Sequence, residues 1–310
     1  MEYTNYNFGH DEFDNATQRY REWQWDRVPQ AMWRMPVGFG PMPGPRQNHL
    51  GVARNGTEST FVTASIKFKT SRTLLQTLFP RNSGYRFKSP GTIAFASFCQ
   101  TTLNKMEWLG GSGYNHLGLY IHGVEYVKKD GTTVSGSYLP ILFENLTDPI
   151  VSGREELGMP KLYSSIDVYR RQKSLKVVAG WQGAFWGNFS LEGLEEVELG
   201  TEGGALSGEQ DDGILAYRYI PSVGRELKGK EESQYPVFVP YAGDEPKPTP
   251  QRVFKAAKAS FKIDTLDWEA LPTLHHVVSR LAEIPVYEIV GAKIVEGTGV
   301  PDVSQAQRIK

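Results

Sequence analysis

Residues 138–165 read YLPILFENLTDPIVSGREELGMPKLYSS, and the fold turns on how they are read. Residues 139–143 are an unbroken apolar run, the pattern of a buried strand. Asp148-Pro149 then predicts a turn, because the residue before a proline is pushed out of the helical region. Gly153-Arg154-Glu155-Glu156 reads as one ion-pair-capable helical turn. Gly158-Met159-Pro160 stops that turn and delivers Lys161, whose neighbours Met159, Pro160, Leu162 and Tyr163 are mostly apolar. Burial disfavours an ammonium, so a lysine in such a setting can be held partly neutral and nucleophilic. The same pattern suits a surface lysine that lays its stem on apolar side chains. Spacing alone leaves both readings open.

The rest of the chain is strand-rich. Residues 59–69 alternate as a half-buried strand. Ser71 is placed to cap a short helix over 72–79, closed by Pro80. Strands are predicted at 92–98, 114–128, 138–143, 174–179 and 182–191, with a hairpin turn at 129–132. Residues 99–113, with Met106, Trp108 and three glycines, read as a loop. The acidic, glycine-rich stretch 193–213 and the charged, proline-rich stretch 224–252 read as solvated and dispensable. Residues 271–283 are the clearest helix, with Leu274, Val277, Val278 and Leu281 on one face. Many strands, short turns and few helices indicate a mainly β (α+β), mostly antiparallel architecture. Residues 1–50 stand apart as an aromatic-rich arm, with Asp14 placed to cap a short helix. Its rings predict packing against the body or a sister subunit.

Composition narrows the class. With 310 residues, 39% of them hydrophobic, the chain can bury a substantial core. A net charge of −1 predicts no nucleic-acid partner and no general attraction to membranes. One cysteine, Cys99, excludes an internal disulfide framework and fits a reducing compartment. No signal-like or membrane-spanning apolar run is visible, so a cytoplasmic location is expected and the sequons at Asn55, Asn145 and Asn188 are read as chance. Phosphate loops, dinucleotide fingerprints and serine nucleophile elbows are absent from the sequence.

Residues 148–165, DPIVSGREELGMPKLYSS, resemble the centre of the acetoacetate decarboxylase-like superfamily. Three further segments match in the family's order: FVTASIKFKTSRTLLQTLFP (61–80), ILAYRYIP (214–221) and IPVYEIVGAKIV (284–295). The resemblance implies a closed antiparallel β-barrel with short peripheral helices. It would span 51–310 as one domain, with insertions near 99–113 and 224–252. It implies that Lys161 forms a Schiff base with a carbonyl or β-keto acid substrate. Decarboxylation, aldol or retro-aldol reaction and dehydration are then the available lyase chemistries. A homo-oligomer, specialised (polyketide-like) metabolism and no cofactor are also implied.

The departures from the family pattern matter as much. Leu162 stands where the decarboxylases carry a second lysine beside the first. Ala96 and His116 fall where they carry glutamates. No arginine stands near Thr60 and Phe61; Arg46 and Arg54 are the nearby alternatives. A plain acetoacetate decarboxylase is therefore not expected. His116 is the candidate acid–base residue, or else a histidine held by a hydrogen bond. His122 shares its strand face, but no ligand set completes a metal site. Tyr114, Met159, Trp181 and Trp108 are the candidate substrate contacts, and Arg154 and Glu155 the candidate supports. Two other readings remain. One is a non-covalent binding barrel, or a cyclase or isomerase that forms no imine. The other is an assembly protein.

Overall fold

The computed structural model describes residues 31–54, 56–81, 83–200, 211–241, 247–301 and 305–310. Most of the aromatic arm, including the helix expected from Asp14, lies outside the described residues. The chain divides into two units, 1–54 and 55–310. In the first, Gln47 ties irregular backbone together: its amide receives from Met32 N (2.7 Å) and donates to Met32 O (2.6 Å) and Met42 O (2.9 Å).

The second unit contains β1 (Thr60–Ser71), β2 (Tyr85–Phe87), β3 (Ile93–Asn104), β4 (Tyr114–Val127), β5 (Thr133–Glu144), β6 (Lys161–Tyr163), β7 (Ser165–Arg171), β8 (Ser174–Trp181), β9 (Ala184–Glu192), β10 (Glu195–Val197), β11 (Gly213–Pro221), β12 (Glu231–Pro240), β13 (Thr249–Lys255), β14 (Lys258–Ile263), β15 (Glu288–Thr298) and β16 (Gln307–Arg308). The helices are α1 (Arg72–Gln76), α2 (Thr147–Glu156) and α3 (His275–Ala282). Twelve strands form one sheet in the order β10-β13-β15-β1-β3-β4-β5-β11-β12-β16, with β2 added on β4 and β6 on β5. The other four form a second sheet, β14-β9-β8-β7.

The expected closed barrel is corrected: the large sheet is open. Among the described residues it ends on β10 and β16, strands of three and two residues that pair with β13 and β12 alone. Edges that short offer too few ladder hydrogen bonds to close the sheet. The mainly β character holds. Among the described residues no helix is long and apolar enough to cross a membrane.

Period-2 alternation gives the large sheet two different faces. Ala64, Ile66 and Phe68 of β1 and Ala94, Ala96 and Phe98 of β3 face the main core, which also holds Trp186, Phe189 and Leu191 of the smaller sheet. Phe98 sits at the centre of that core, 5.7 Å from Phe68, 5.3 Å from Phe189 and 4.9 Å from Phe261, ring to ring. The intervening residues Thr63, Ser65, Ser97, Cys99 and Thr101 face the other way and are buried too. That second face carries the polar groups.

Several expectations shift. β3 runs on to Asn104, so only about half of 99–113 leaves the sheet. About half of the stretch 224–252 is strand: β12 pairs along β11 and buries Val237 and Val239. Its charges misled, because Arg225, Glu226, Lys228 and Lys230 lie in the turn before β12, and only Glu231 and Glu232, at its exposed start, belong to the strand. The stretch 193–213 likewise contains β10. The predicted turn at Asp148-Pro149 is the first turn of α2, where a proline's missing N–H costs nothing.

Candidate active site

The site is built where β5 hands over to α2 and α2 to β6. Gly158 ends the helix in a left-handed conformation (φ +70°) and packs against Arg218 and Val237. Leu157 N and Met159 N both donate to Gly153 O, at 3.2 and 3.0 Å, closing the helix end. The chain then runs parallel to β5, with Lys161 opposite Leu142. Arg154 does not serve an ion pair with Glu155. Its Nη1 donates to Lys161 O (3.0 Å), while Arg218 Nη1 donates to Arg154 O (2.9 Å) and Glu155 O (2.7 Å). Two arginines thus fix the backbone that presents the lysine, and Glu155 takes part through its carbonyl.

Lys161 is buried, at 8% exposure. Its Nζ lies 2.8 Å from Glu144 Oε1 and donates to Pro149 O at 3.0 Å. Glu144 was not singled out from the sequence, yet it is the lysine's direct partner and is 1% exposed. The signal was present: a carboxylate closing a five-residue apolar run belongs to a buried strand end and needs a partner. Burial raises the Glu144 carboxyl above its usual range, and the Lys161 charge opposes that shift. Its Oε2 is enclosed and has no hydrogen-bond partner.

His116 stands directly opposite Glu144 in the β4–β5 ladder. The residue is half-buried, but its Nδ1 is enclosed and without a partner. Burial, and after it the Lys161 charge, push the imidazole down to about 3. The ring is therefore neutral over the range in which most enzymes work. Lys161 and Glu144 thus form a buried pair in direct contact, and His116 stands beside Glu144 in the ladder.

The other candidates divide. Met159 lies in an apolar cluster with Tyr120, Leu139 and Leu142, next to the lysine. Tyr114 and Trp108 pack with Phe61, Leu103, Met106, Val253 and Val295 on the His116 side. Trp181 is not brought to the site: it packs into the main core, on the opposite face of the large sheet. Ala96 faces that core as well, so the β3 residue nearest to it on the polar face is Ser97. Arg54 is used within the N-terminal unit, donating to Gly44 O and Gln47 O. His122 is engaged at both ring nitrogens, by Ser97 Oγ (2.7 Å) and Ser137 Oγ (2.8 Å). No group of three His, Cys, Asp or Glu side chains with metal-binding geometry occurs among the described residues.

The model of the acetoacetate decarboxylase (ADC) family matches residues 41–300. The chain belongs to this family. The acetoacetate decarboxylase family is an enzymatic one. No curated protein matches at the sequence level. Among solved structures, an acetoacetate decarboxylase is 14% identical, covering 85% of this chain and 94% of its own, with a TM-score of 0.58. The acetoacetate decarboxylase of Legionella pneumophila is also 14% identical, covering 84% and 91%, with a TM-score of 0.55. The enduracididine biosynthesis enzyme MppR, complexed with pyruvate, is 10% identical, covering 84% and 92%, with a TM-score of 0.57. These similarities establish the shared fold.

Proposed function

We propose that this protein is a lyase-type enzyme in which Lys161 forms a Schiff base with a carbonyl or β-keto acid substrate. The observation that carries the reading is the buried contact of Lys161 Nζ with Glu144 Oε1 at 2.8 Å. Transfer of the ammonium proton to Glu144 converts a buried ion pair into two neutral groups, which a desolvated site favours. The carboxyl's raised affinity for a proton, a consequence of burial, assists that transfer. The free amine attacks the carbonyl carbon, and the carbinolamine loses water to give an iminium. The iminium then accepts the electron pair released by loss of CO₂, by retro-aldol cleavage or by removal of a proton at the adjacent carbon. Neutral His116, across the ladder from Glu144, is placed to take or return that proton.

Leu162 supplies no second cation to repel the lysine's charge, so its activation rests on burial and on Glu144 as the acceptor of its proton. This altered proton-handling set favours a substrate other than acetoacetate and a role in specialised metabolism. MppR, of the same fold, is a biosynthetic enzyme complexed with pyruvate. Borohydride reduction in the presence of pyruvate or acetoacetate, read by intact mass, tests the imine. An adduct on wild type that is missing in Lys161→Met supports it, and no adduct with any keto acid excludes it.

One observation favours a second reading. The Glu144 contact also holds an ammonium well, and a lysine kept charged would bind a carbonyl or enolate oxygen without a covalent bond. An isomerase or binding protein would use it so. Loss of turnover in Lys161→Met with no trapped adduct in wild type would select that reading. We also propose a cytoplasmic location, on the single free cysteine Cys99, and assembly into at least a dimer, on the exposed apolar residues Ile93, Phe95, Val286, Tyr287 and Val290 around the start of β3 and β15. A monomer in light scattering at micromolar concentration would refute the dimer.

A further inference from the structure

Three rings run in file toward the lysine. Trp108 meets Tyr114 edge-on at 6.3 Å between centroids, and Tyr114 meets His116 at 6.4 Å. The strand accounts for half of this file: Tyr114 and His116 are two residues apart on β4 and share the face on which His116 opposes Glu144. The turn at Glu107–Leu109 accounts for the rest. Gly111 N donates to Met106 O and Met106 N to Ser112 O, both at 2.9 Å, so the loop carrying Trp108 closes on itself. Gly113 presses so tightly on the end of β3 that a Cβ there would overlap Leu103 O. The indole is presented by a fixed turn, against apolar walls formed by Phe61, Leu103, Met106 and Val295.

Two polar atoms of the file are unmatched. Trp108 Nε1 and His116 Nδ1 are enclosed and have no hydrogen-bond partner, as is Glu144 Oε2 at the lysine end. Buried indole N–H groups ordinarily find an acceptor, and leaving one unpaired costs stability. A cluster serving only as core would turn the indole N–H toward a carbonyl or solvent. An unpaired donor at one end of a row of rings, with unpaired groups at the other, is the pattern of a ligand site.

We propose that this file is the second subsite of the substrate, so that the enzyme takes a carbonyl compound bearing a planar ring. The ring lies along Tyr114, and a hydrogen-bond acceptor at its far end meets Trp108 Nε1. The proposal rests on the Lys161 reading for the position of the carbonyl. The aromatic and apolar walls along this file suit a ring-bearing skeleton better than a three- or four-carbon keto acid, which has no ring to pack on them.

The test is reductive trapping with pyruvate, phenylpyruvate and 4-hydroxyphenylpyruvate. Half-saturation for phenylpyruvate should fall on the order of tenfold below that for pyruvate, given the strength of ring–ring contacts. The added hydroxyl should lower it again, and Trp108→Phe should remove the hydroxyl's gain while keeping the ring's. Tyr114→Ala should abolish the preference for phenylpyruvate over pyruvate. Equal half-saturation for pyruvate and phenylpyruvate in wild type overturns the proposal. If no keto acid is trapped, the imine reading fails and calorimetric titration decides this one. Tighter binding of 4-hydroxyphenylpyruvate than of pyruvate, weakened by Trp108→Phe, upholds the subsite; no binding, or no difference, overturns it.

Discussion

Gly153 and Lys161 are fitted to each other: a Cβ on Gly153 would stand 2.7 Å from Lys161 Nζ and closer still to its stem. A glycine in the body of α2 is unfavourable for the helix by about 1 kcal/mol relative to alanine. It is retained where the lysine side chain crosses the helix on its way to Glu144.

Gly153→Ala therefore separates helix stability from function. The alanine gains helix propensity and loses it again in moving the lysine, so the thermal midpoint should change little. Displacing Nζ from Glu144 and Pro149 O should lower turnover by about a hundredfold, the scale of a 1 Å misplacement of a reacting group. Parallel melting curves and kcat measurements check this. Retained turnover would show that Lys161 does not need its present path.

The Glu144–Lys161 pair should behave asymmetrically. Glu144→Gln leaves a buried ammonium without its carboxylate, a change that typically costs about 3–5 kcal/mol. Lys161→Met leaves Glu144, whose carboxyl burial already pushes toward the neutral form, so it can protonate and the cost should be smaller. The double variant should recover much of the stability lost in Glu144→Gln. Urea unfolding of all four proteins gives the cycle. Independent, additive losses would mean that the two groups do not interact in solution.

The legibility of this chain followed local pattern. β1, β4, β5 and the β8–β9 hairpin carry their alternation in the sequence, and Pro160-Lys161 carried the resemblance to the family. Three things were hidden. Whether the sheet closes depends on β10 and β16, edge strands too short to leave a period. Which side of β3 faces the site depends on register, and a one-residue offset separates core-facing Ala96 from Ser97 on the polar face. Glu144 pairs with Lys161 across 17 residues and a helix, a contact no short motif encodes. Trp181 shows the converse error: proximity in sequence to Lys161 is undone when β7 starts a second sheet.

The strand β12 supplies another test. Its charged and proline-rich sequence reads as a removable loop, but it lies between β11 and β16 and buries Val237 and Val239. Replacing residues 226–250 with a short Gly/Ser linker should cost most of the fold's stability, since burying each such side chain is worth about 1.5–3 kcal/mol. Soluble yield and thermal midpoint report it. An unchanged midpoint would show that β12 adds nothing to the core.

His116 links the site to pH. Burial and the Lys161 charge lower its pKa from an ordinary 6.5 to about 3 in the folded protein. A histidine depressed in this way contributes stability that is fully present above the unfolded value. Between the two values the unfolded chain binds the proton and the folded chain does not, so stability falls as the pH drops from about 6.5 toward 3. His122 is also lowered, chiefly by burial and against the pull of Asp211, and adds a contribution of the same sign. Of the charged groups facing His116, the Lys161 ammonium repels an imidazolium and adds to the effect, while Glu144, whose carboxyl pKa is raised by burial, takes up its proton first in the folded chain and contributes with the opposite sign. His116→Phe removes one of the titrating groups. Its stability should fall less steeply with acid, by up to one proton in the linkage slope, while its turnover drops by ten- to ten-thousandfold if the imidazole carries the proton. Denaturant midpoints from pH 4 to 7 measure the first, and kcat at neutral pH the second. A flattened slope with full turnover would make His116 a structural histidine and move the proton chemistry to Glu144 alone.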